Sequence, residues 1–218
     1  LALFLLFGCK GDKEFAKDNT QRGENVEQTA DGNALIAGTS NHNVDNYFDF
    51  YILKTDSVGS IVWEKSFGGE NSDWAQDCES TADGNYVVAG KTESFARDNG
   101  EEGNKKNAWI MKLDPDGNKI WSKVYGGPQT DGANDIEQTS DDGYIVAGYT
   151  HTHGDMGIRV WKLASSGELQ WTETYSQGLV GSISSRACGS GTLPSVRSHV
   201  KASASVPNLT VSRGCPAT

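Results

Sequence analysis

The chain is predicted to be all-β, built from three four-stranded antiparallel sheets, and two recurring phrases predict it. The first phrase reads Thr29-Ala-Asp-Gly-Asn-Ala-Leu-Ile-Ala-Gly38 and returns as Thr81-Ala-Asp-Gly-Asn-Tyr-Val-Val-Ala-Gly90. It returns again as Thr139-Ser-Asp-Asp-Gly-Tyr-Ile-Val-Ala-Gly148. The second runs from Lys54 through Gly59 to Trp63, then Lys112, Gly117 and Trp121, then Lys162, Gly167 and Trp171. Spacing within the second phrase is constant, whereas Gly38 and Gly90 lie 52 residues apart and Gly90 and Gly148 lie 58 apart. Constant strands and elastic loops at a period near fifty residues mark a β-repeat architecture.

Each repeat resolves into four short strands. The first covers residues 25–29, 77–81 and 135–139, and a tight Asp/Gly/Asn turn leads from it into the second. The second is the apolar run of which residues 144–148 are the third copy, suited to burial on both faces. A loop of variable length follows. The third strand, residues 109–114, alternates Trp109, Met111 and Leu113 with Ile110 and Lys112. The turn Asp114-Pro-Asp-Gly-Asn118 then opens the fourth, residues 119–125, which closes on Gly126 and Gly127. Four antiparallel strands in a repeat of this length make one blade of a β-propeller. The blades fall at residues 20–69, 70–127 and 128–177. Closed propellers have four to eight blades, so three imply an incomplete propeller: part of a larger one, a chain that self-associates through open blade edges, or an open stack.

The two ends differ from the repeats. Leu1-Ala-Leu-Phe-Leu-Leu-Phe-Gly-Cys9 is too short to span a bilayer and reads as the end of a signal peptide, with residues 1–8 removed. It resembles a bacterial lipobox, with Cys9 as the lipidated residue and residues 9–19 as a charged tether; Phe7 departs from the small residue usual at its position. An ordinary cleaved signal peptide is the alternative. A lipid anchor would place the protein in the bacterial cell envelope, on the periplasmic face or the cell surface, with the membrane as a partner. After Glu173 no acidic residue occurs, and Arg186, Arg197, Lys201 and Arg213 stand among Ser, Gly and Val. Such a break in pattern and composition, over residues 178–218, is expected of a changed reading frame or of a low-complexity disordered tail.

A formal net charge of −10 over 218 residues argues against nucleic acid as a partner, because phosphate binding needs clustered Lys and Arg. Cysteines form no framework and no CxxC occurs, so neither a zinc site nor any other metal site is expected, and no cofactor is implied. Cys78 stands where the other copies have Val26 and Ile136, and is expected to be a small buried hydrophobe.

Trp63, Trp121 and Trp171, repeated in one register, are expected to be wedges between blades rather than ligand contacts. On that reading Trp121→Ala removes about 3–5 kcal/mol of stability. Asp31, Asp83 and Asp141 read as hairpin-turn residues, and Asp114 to Asn118 as a turn rather than a calcium loop, because the other copies lack its second carboxylate. Asp73 and Asp131 lie in the glycine-rich crossing into the next blade, where carboxylates satisfy backbone amides. If strands alternate up and down, the loops after the second and fourth strands share one face. That face gathers Trp74, Tyr47, Phe95, His151 and His153, the candidate ligand-binding residues. Trp74 leads, because blade three has Gly132 there and packing symmetry does not require an aromatic. His151 and His153 with Asp155 form the one local cluster of metal-ligand types, but it occurs in a single blade and lacks a fourth ligand. No catalytic constellation is identifiable, and an enzyme is not expected.

Trp121-Ser-Lys-Val-Tyr-Gly-Gly127, then Asp131, then the Thr139 to Gly148 phrase, resembles the repeat of secreted bacterial β-propeller lipoproteins over residues 20–175. The resemblance implies a surface-anchored module that binds ligands at the cell surface; Trp74, as a candidate sugar or peptide platform, points to a glycan or protein as that ligand. More distantly, Lys112-Leu-Asp-Pro-Asp-Gly-Asn-Lys-Ile-Trp121 is similar to the tryptophan-docking repeat of quinoprotein-type propellers, which implies a docking role for Trp63, Trp121 and Trp171. Two alternative functions follow: a quinoprotein-like oxidoreductase, and a polysaccharide-active enzyme or its accessory domain.

Overall fold

A computed structural model describes residues 20–41, 47–95, 105–152 and 155–175; the run read as a signal end, Cys9, the whole tether to residue 19 and the tail at 178–218 lie outside them. Every regular element in the described residues is a strand. The first sheet comprises β1 (Gln21–Gln28), β2 (Ala34–Ser40), β3 (Asp49–Thr55) and β4 (Ile61–Phe67). The second comprises β5 (Asp73–Ser80), β6 (Tyr86–Thr92), β7 (Asn107–Leu113) and β8 (Lys119–Tyr125). The third comprises β9 (Asp131–Gln138), β10 (Tyr144–Thr152), β11 (Asp155–Leu163) and β12 (Leu169–Tyr175). Each is an antiparallel meander in sequence order, so the described residues are all-β, in three four-stranded, propeller-like blades.

The blades pack face to face. The forward face of the first sheet, with Leu35, Ala37, Phe50 and Ile52, meets Cys78, Tyr86, Val88, Trp109, Met111 and Leu113 of the second. The other face of the second, with Val87, Ala89, Ala108 and Ile110, meets Ala133, Ile136, Tyr144, Val146, Trp161 and Leu163 of the third. The second sheet is therefore covered on both faces, which is why all seven residues of β7 are buried. Each fully buried Ile, Leu or Val here contributes roughly 1.5–3 kcal/mol relative to exposure.

The repeated tryptophans join these layers. Trp63 lies against Gly117 of the next sheet and donates its indole N–H to the Pro115 carbonyl at 2.9 Å. Trp121 lies in the same way against Gly167. Gly117 and Gly167 both have φ +78°, so the turn and the overlying ring each require glycine. Trp171 differs. It is exposed, with no further sheet over it among the described residues.

A second recurring bond set crosses each hairpin. Asp31, Asp83 and Asp141 accept the hydroxyl of the threonine two residues earlier, as turn residues should. Each also pairs with a lysine of the third strand: Lys54 at 2.9 Å, Lys112 at 2.6 Å and Lys162 at 2.8 Å. Lys54 reaches on to the Tyr86 hydroxyl of the next sheet at 2.8 Å. The repeated lysine is thus part of the joint between sheets, which the turn reading of the aspartates did not include.

The first strand of each sheet is longer than expected. It begins at Gln21, Asp73 or Asp131 and carries a bulge, with register shifts between Gly23 and Asn25, Ala75 and Asp77, and Ala133 and Asp135. One extra residue breaks the alternation that marks a strand in sequence. Asp73 and Asp131 are consequently the first residues of β5 and β9 rather than loop residues.

Candidate functional site

Hydrogen bonds across the blades fix the shared loop face. The Asp73 amide donates to the Phe48 carbonyl at 2.5 Å, tying the crossing from β4 to β5 to the loop before β3. The Asp131 amide does the same to the Lys106 carbonyl at 2.7 Å. Both carboxylates are fully buried. That of Asp73 accepts from the Gly69 amide at 3.1 Å and the Ser94 hydroxyl at 2.7 Å. That of Asp131 accepts from the Gly127 amide at 3.0 Å and from Arg159 at 2.9 Å. Burial raises the Asp73 carboxyl above its ordinary value despite these donors. Such saturated carboxylates hold the crossing together.

Trp74 stands on this rim, opposite Lys91 in the β5/β6 register, and is half-buried. Its ring lies 4.4 Å from the Lys106 ammonium and 5.4 Å from that of Lys91, measured to the centroid. Lys106 also pairs with Glu93 at 3.4 Å. Burial lowers the Lys91 pKa, and the neighbouring Lys106 charge lowers it further. The third sheet resolves the same place differently. A Cβ on Gly132 would fall 2.6 Å from the Tyr149 ring, and Tyr149 pairs with Gly132 as Lys91 does with Trp74. Trp74/Lys91 and Gly132/Tyr149 are alternative fillings of one position.

The remaining candidates are not assembled into one constellation. Phe95 is exposed at the edge of an aromatic tier, 5.0 Å from Trp109, which is in turn 4.5 Å from Phe50. Tyr47 is exposed on its loop. His151 belongs to β10, paired with Met156, and meets Tyr149 edge-on at 5.8 Å; it is a strand residue, not a loop residue. His153 lies outside the described residues. Phe95 also lines a groove of about 830 Å³ whose walls include Trp109, Tyr125, Arg159, Lys123 and Glu168. Arg159 is held over the Trp161 ring at 5.5 Å, and Lys123 pairs with Glu168. Among the described residues no three His, Cys, Asp or Glu side chains form a group able to hold a metal ion.

A line of carboxylates runs along the first strands. Glu27 accepts from the Ser80 amide at 2.6 Å, Asp77 from Ile136 at 2.8 Å and Glu79 from Gln138 at 2.5 Å. Each satisfies an edge amide of the next sheet, which the ladder leaves unpaired. Burial, with Asp135 nearby, holds Asp77 above the usual carboxylate range, and burial pushes Glu79 up to about 7. These groups keep protons that the unfolded chain releases. Their contribution to stability is therefore greatest below the unfolded value near 4 and declines as pH rises towards 7. The turn aspartates act in the opposite sense. Bonds from Lys162 and Thr139 hold Asp141 down to about 2, and Asp31 and Asp83 are lowered further; that stability is present above pH 4 and lost as pH falls below it. Thermal stability is expected to peak between pH 4 and 5. Asp77→Asn, which keeps an acceptor for the Ile136 amide, should gain on the order of 1 kcal/mol at pH 8 and flatten the decline from pH 5 to 8. A melting series of both proteins over pH 3–8 checks this, and a parallel pair of curves would show that Asp77 is ionised in the fold.

Compared with known proteins, the chain matches no family model and no curated protein.

Proposed function

We propose that the chain is a lipid-anchored module of the bacterial cell envelope, acting as a binding or scaffold unit, and that it takes a glycan or protein ligand on its loop face. The observation that carries this reading is Trp74. Its indole has two ammonium groups within 5.4 Å of its centroid, at a rim position where the neighbouring sheet manages with glycine. An indole with fixed cations beside it offers an apolar platform for a sugar ring or side chain and donors for its polar groups. The repeated residues, by contrast, are occupied by turns and by contacts between sheets. The lipobox-like run ending at Cys9 and the resemblance to propeller-repeat lipoproteins support the anchoring and the cell-envelope location.

The test is a screen on arrays of envelope oligosaccharides and peptides, followed by titration of the best binder against Trp74→Ala. Affinity should fall at least tenfold, about 1.4 kcal/mol, with the melting temperature unchanged. Binding that survives the substitution at full strength would place the ligand elsewhere.

A further inference from the structure

The blade-to-blade joint occurs twice among the described residues, and its two halves are left open at opposite ends of the described repeats. On the first sheet, the face turned away from the second carries Val26, 67% exposed, at the position where Cys78 is 3% and Ile136 is 2% exposed. A hollow of about 170 Å³ lies beside it, lined by Gly23, Ile36, Gly38, Tyr51 and Leu53. In the second sheet the place matching Gly38 is Gly90, and the Phe50 ring of the preceding sheet sits against it, 2.7 Å from where a Cβ would be. Gly59, the counterpart of the covered Gly117 and Gly167, has nothing within 4 Å of its Cβ position.

The third sheet presents the complementary half. Ile158, which matches Phe50 and Ala108, is 52% exposed where those two are fully buried. Tyr175 is 47% exposed, whereas Tyr125, its counterpart, is 7% exposed and donates its hydroxyl to the Gly167 carbonyl at 2.5 Å. Trp171 is the third docking tryptophan, exposed where Trp63 and Trp121 each cover a turn glycine. Glu137 matches Glu27 and Glu79, which accept the edge amides of the following sheet.

We propose that the open face of the third sheet seats on the open face of the first sheet of a second copy, in the register that joins the sheets within the chain. Trp171 then covers Gly59, Ile158 enters the hollow over Gly38, and Glu137 accepts the Gln28 amide. One element is not reproduced: Ala34 stands where Tyr86 and Tyr144 meet the lysine of the preceding sheet. The contact is head-to-tail, so it ends in a closed ring or an open filament depending on the rotation between sheets. Two copies of the described repeats supply six sheets, within the range in which propellers close, and a ring of two chains is the predicted product.

Sedimentation velocity of the full chain and of two variants tests this. Val26→Asp spoils only the first-sheet face and Trp171→Asp only the third-sheet face. Both positions are exposed, circular dichroism checks folding, and Tyr175→Asp replaces the second variant if it does not fold. The wild type should sediment at twice its 23.4 kDa mass, and each variant alone should dissociate at least tenfold more readily. Mixing Val26→Asp with Trp171→Asp should restore a one-to-one pair, because one intact contact remains between them. A monomeric or indefinitely polymerising wild type overturns the proposal. So does a dimer that survives Val26→Asp, or a mixture that stays monomeric.

Discussion

Gly90→Ala is expected to destabilise the chain by about 3 kcal/mol or more, the upper end of what overpacking produces. A Cβ there would stand 2.0 Å from the Trp74 carbonyl oxygen and 2.9 Å from the Ala75 Cα, both backbone atoms that no rotamer change can move. The cause is the bulge opposite, between Ala75 and Asp77, which drives the β5 backbone towards β6. Gly38 and Gly148 face the Arg22 and Gly132 carbonyl oxygens at 2.1 and 1.9 Å in the same way. The glycine ending each Ala-Gly phrase is therefore imposed by its neighbour strand and not by its own backbone angles. Urea denaturation of Gly90→Ala and Gly148→Ala checks this; a loss below 1 kcal/mol would mean that β5 yields at little cost.

Trp121→Ala carries the second large effect, about 2–3 kcal/mol, or a fall in melting temperature of roughly 4–10 °C. The 3–5 kcal/mol expected of a fully buried wedge is too high, because the indole is only half-buried. What is lost is its contact with Gly167 and the tilted approach to the Tyr144 ring at 6.0 Å, both across the joint between sheets. Thermal melting measures it directly, and a change too small to resolve would show that the indole contributes nothing to the joint.

The blades were legible because turns and apolar runs are local and were written three times. Tight turns need only a few adjacent residues, so the hairpins and the docking tryptophans could be placed from the repeat alone. The bulges were not legible. The added residue, such as Gln76, makes the start of each first strand look irregular, and Asp73 and Asp131 were consequently read as loop. Pairing of Lys54 with Asp31, 23 residues apart, was present as a signal, since both recur in every copy, but its geometry appears only once the hairpins fold. At the loop face the sequence grouped Trp74, Tyr47, Phe95 and His151 by topology. Side-chain contacts divide them, placing Trp74 beside Lys91 and Lys106, Phe95 against Trp109 and His151 against Tyr149. The exchange of Trp74 with Lys91 for Gly132 with Tyr149 could have been found by comparing copies at both positions together.

Trp63 and Trp121 join one sheet to the next, whereas the copies differ from one another at the rim. The most direct measurement is a melting series of Trp63→Ala, Trp121→Ala and Trp171→Ala at a concentration where the chain is monomeric. Trp63 and Trp121 should each lower the melting temperature by several degrees and Trp171 by almost nothing, because among the described residues only the first two cover a glycine of a following sheet. Equal losses at all three positions would contradict the account, since each tryptophan would then be stabilising its own hairpin.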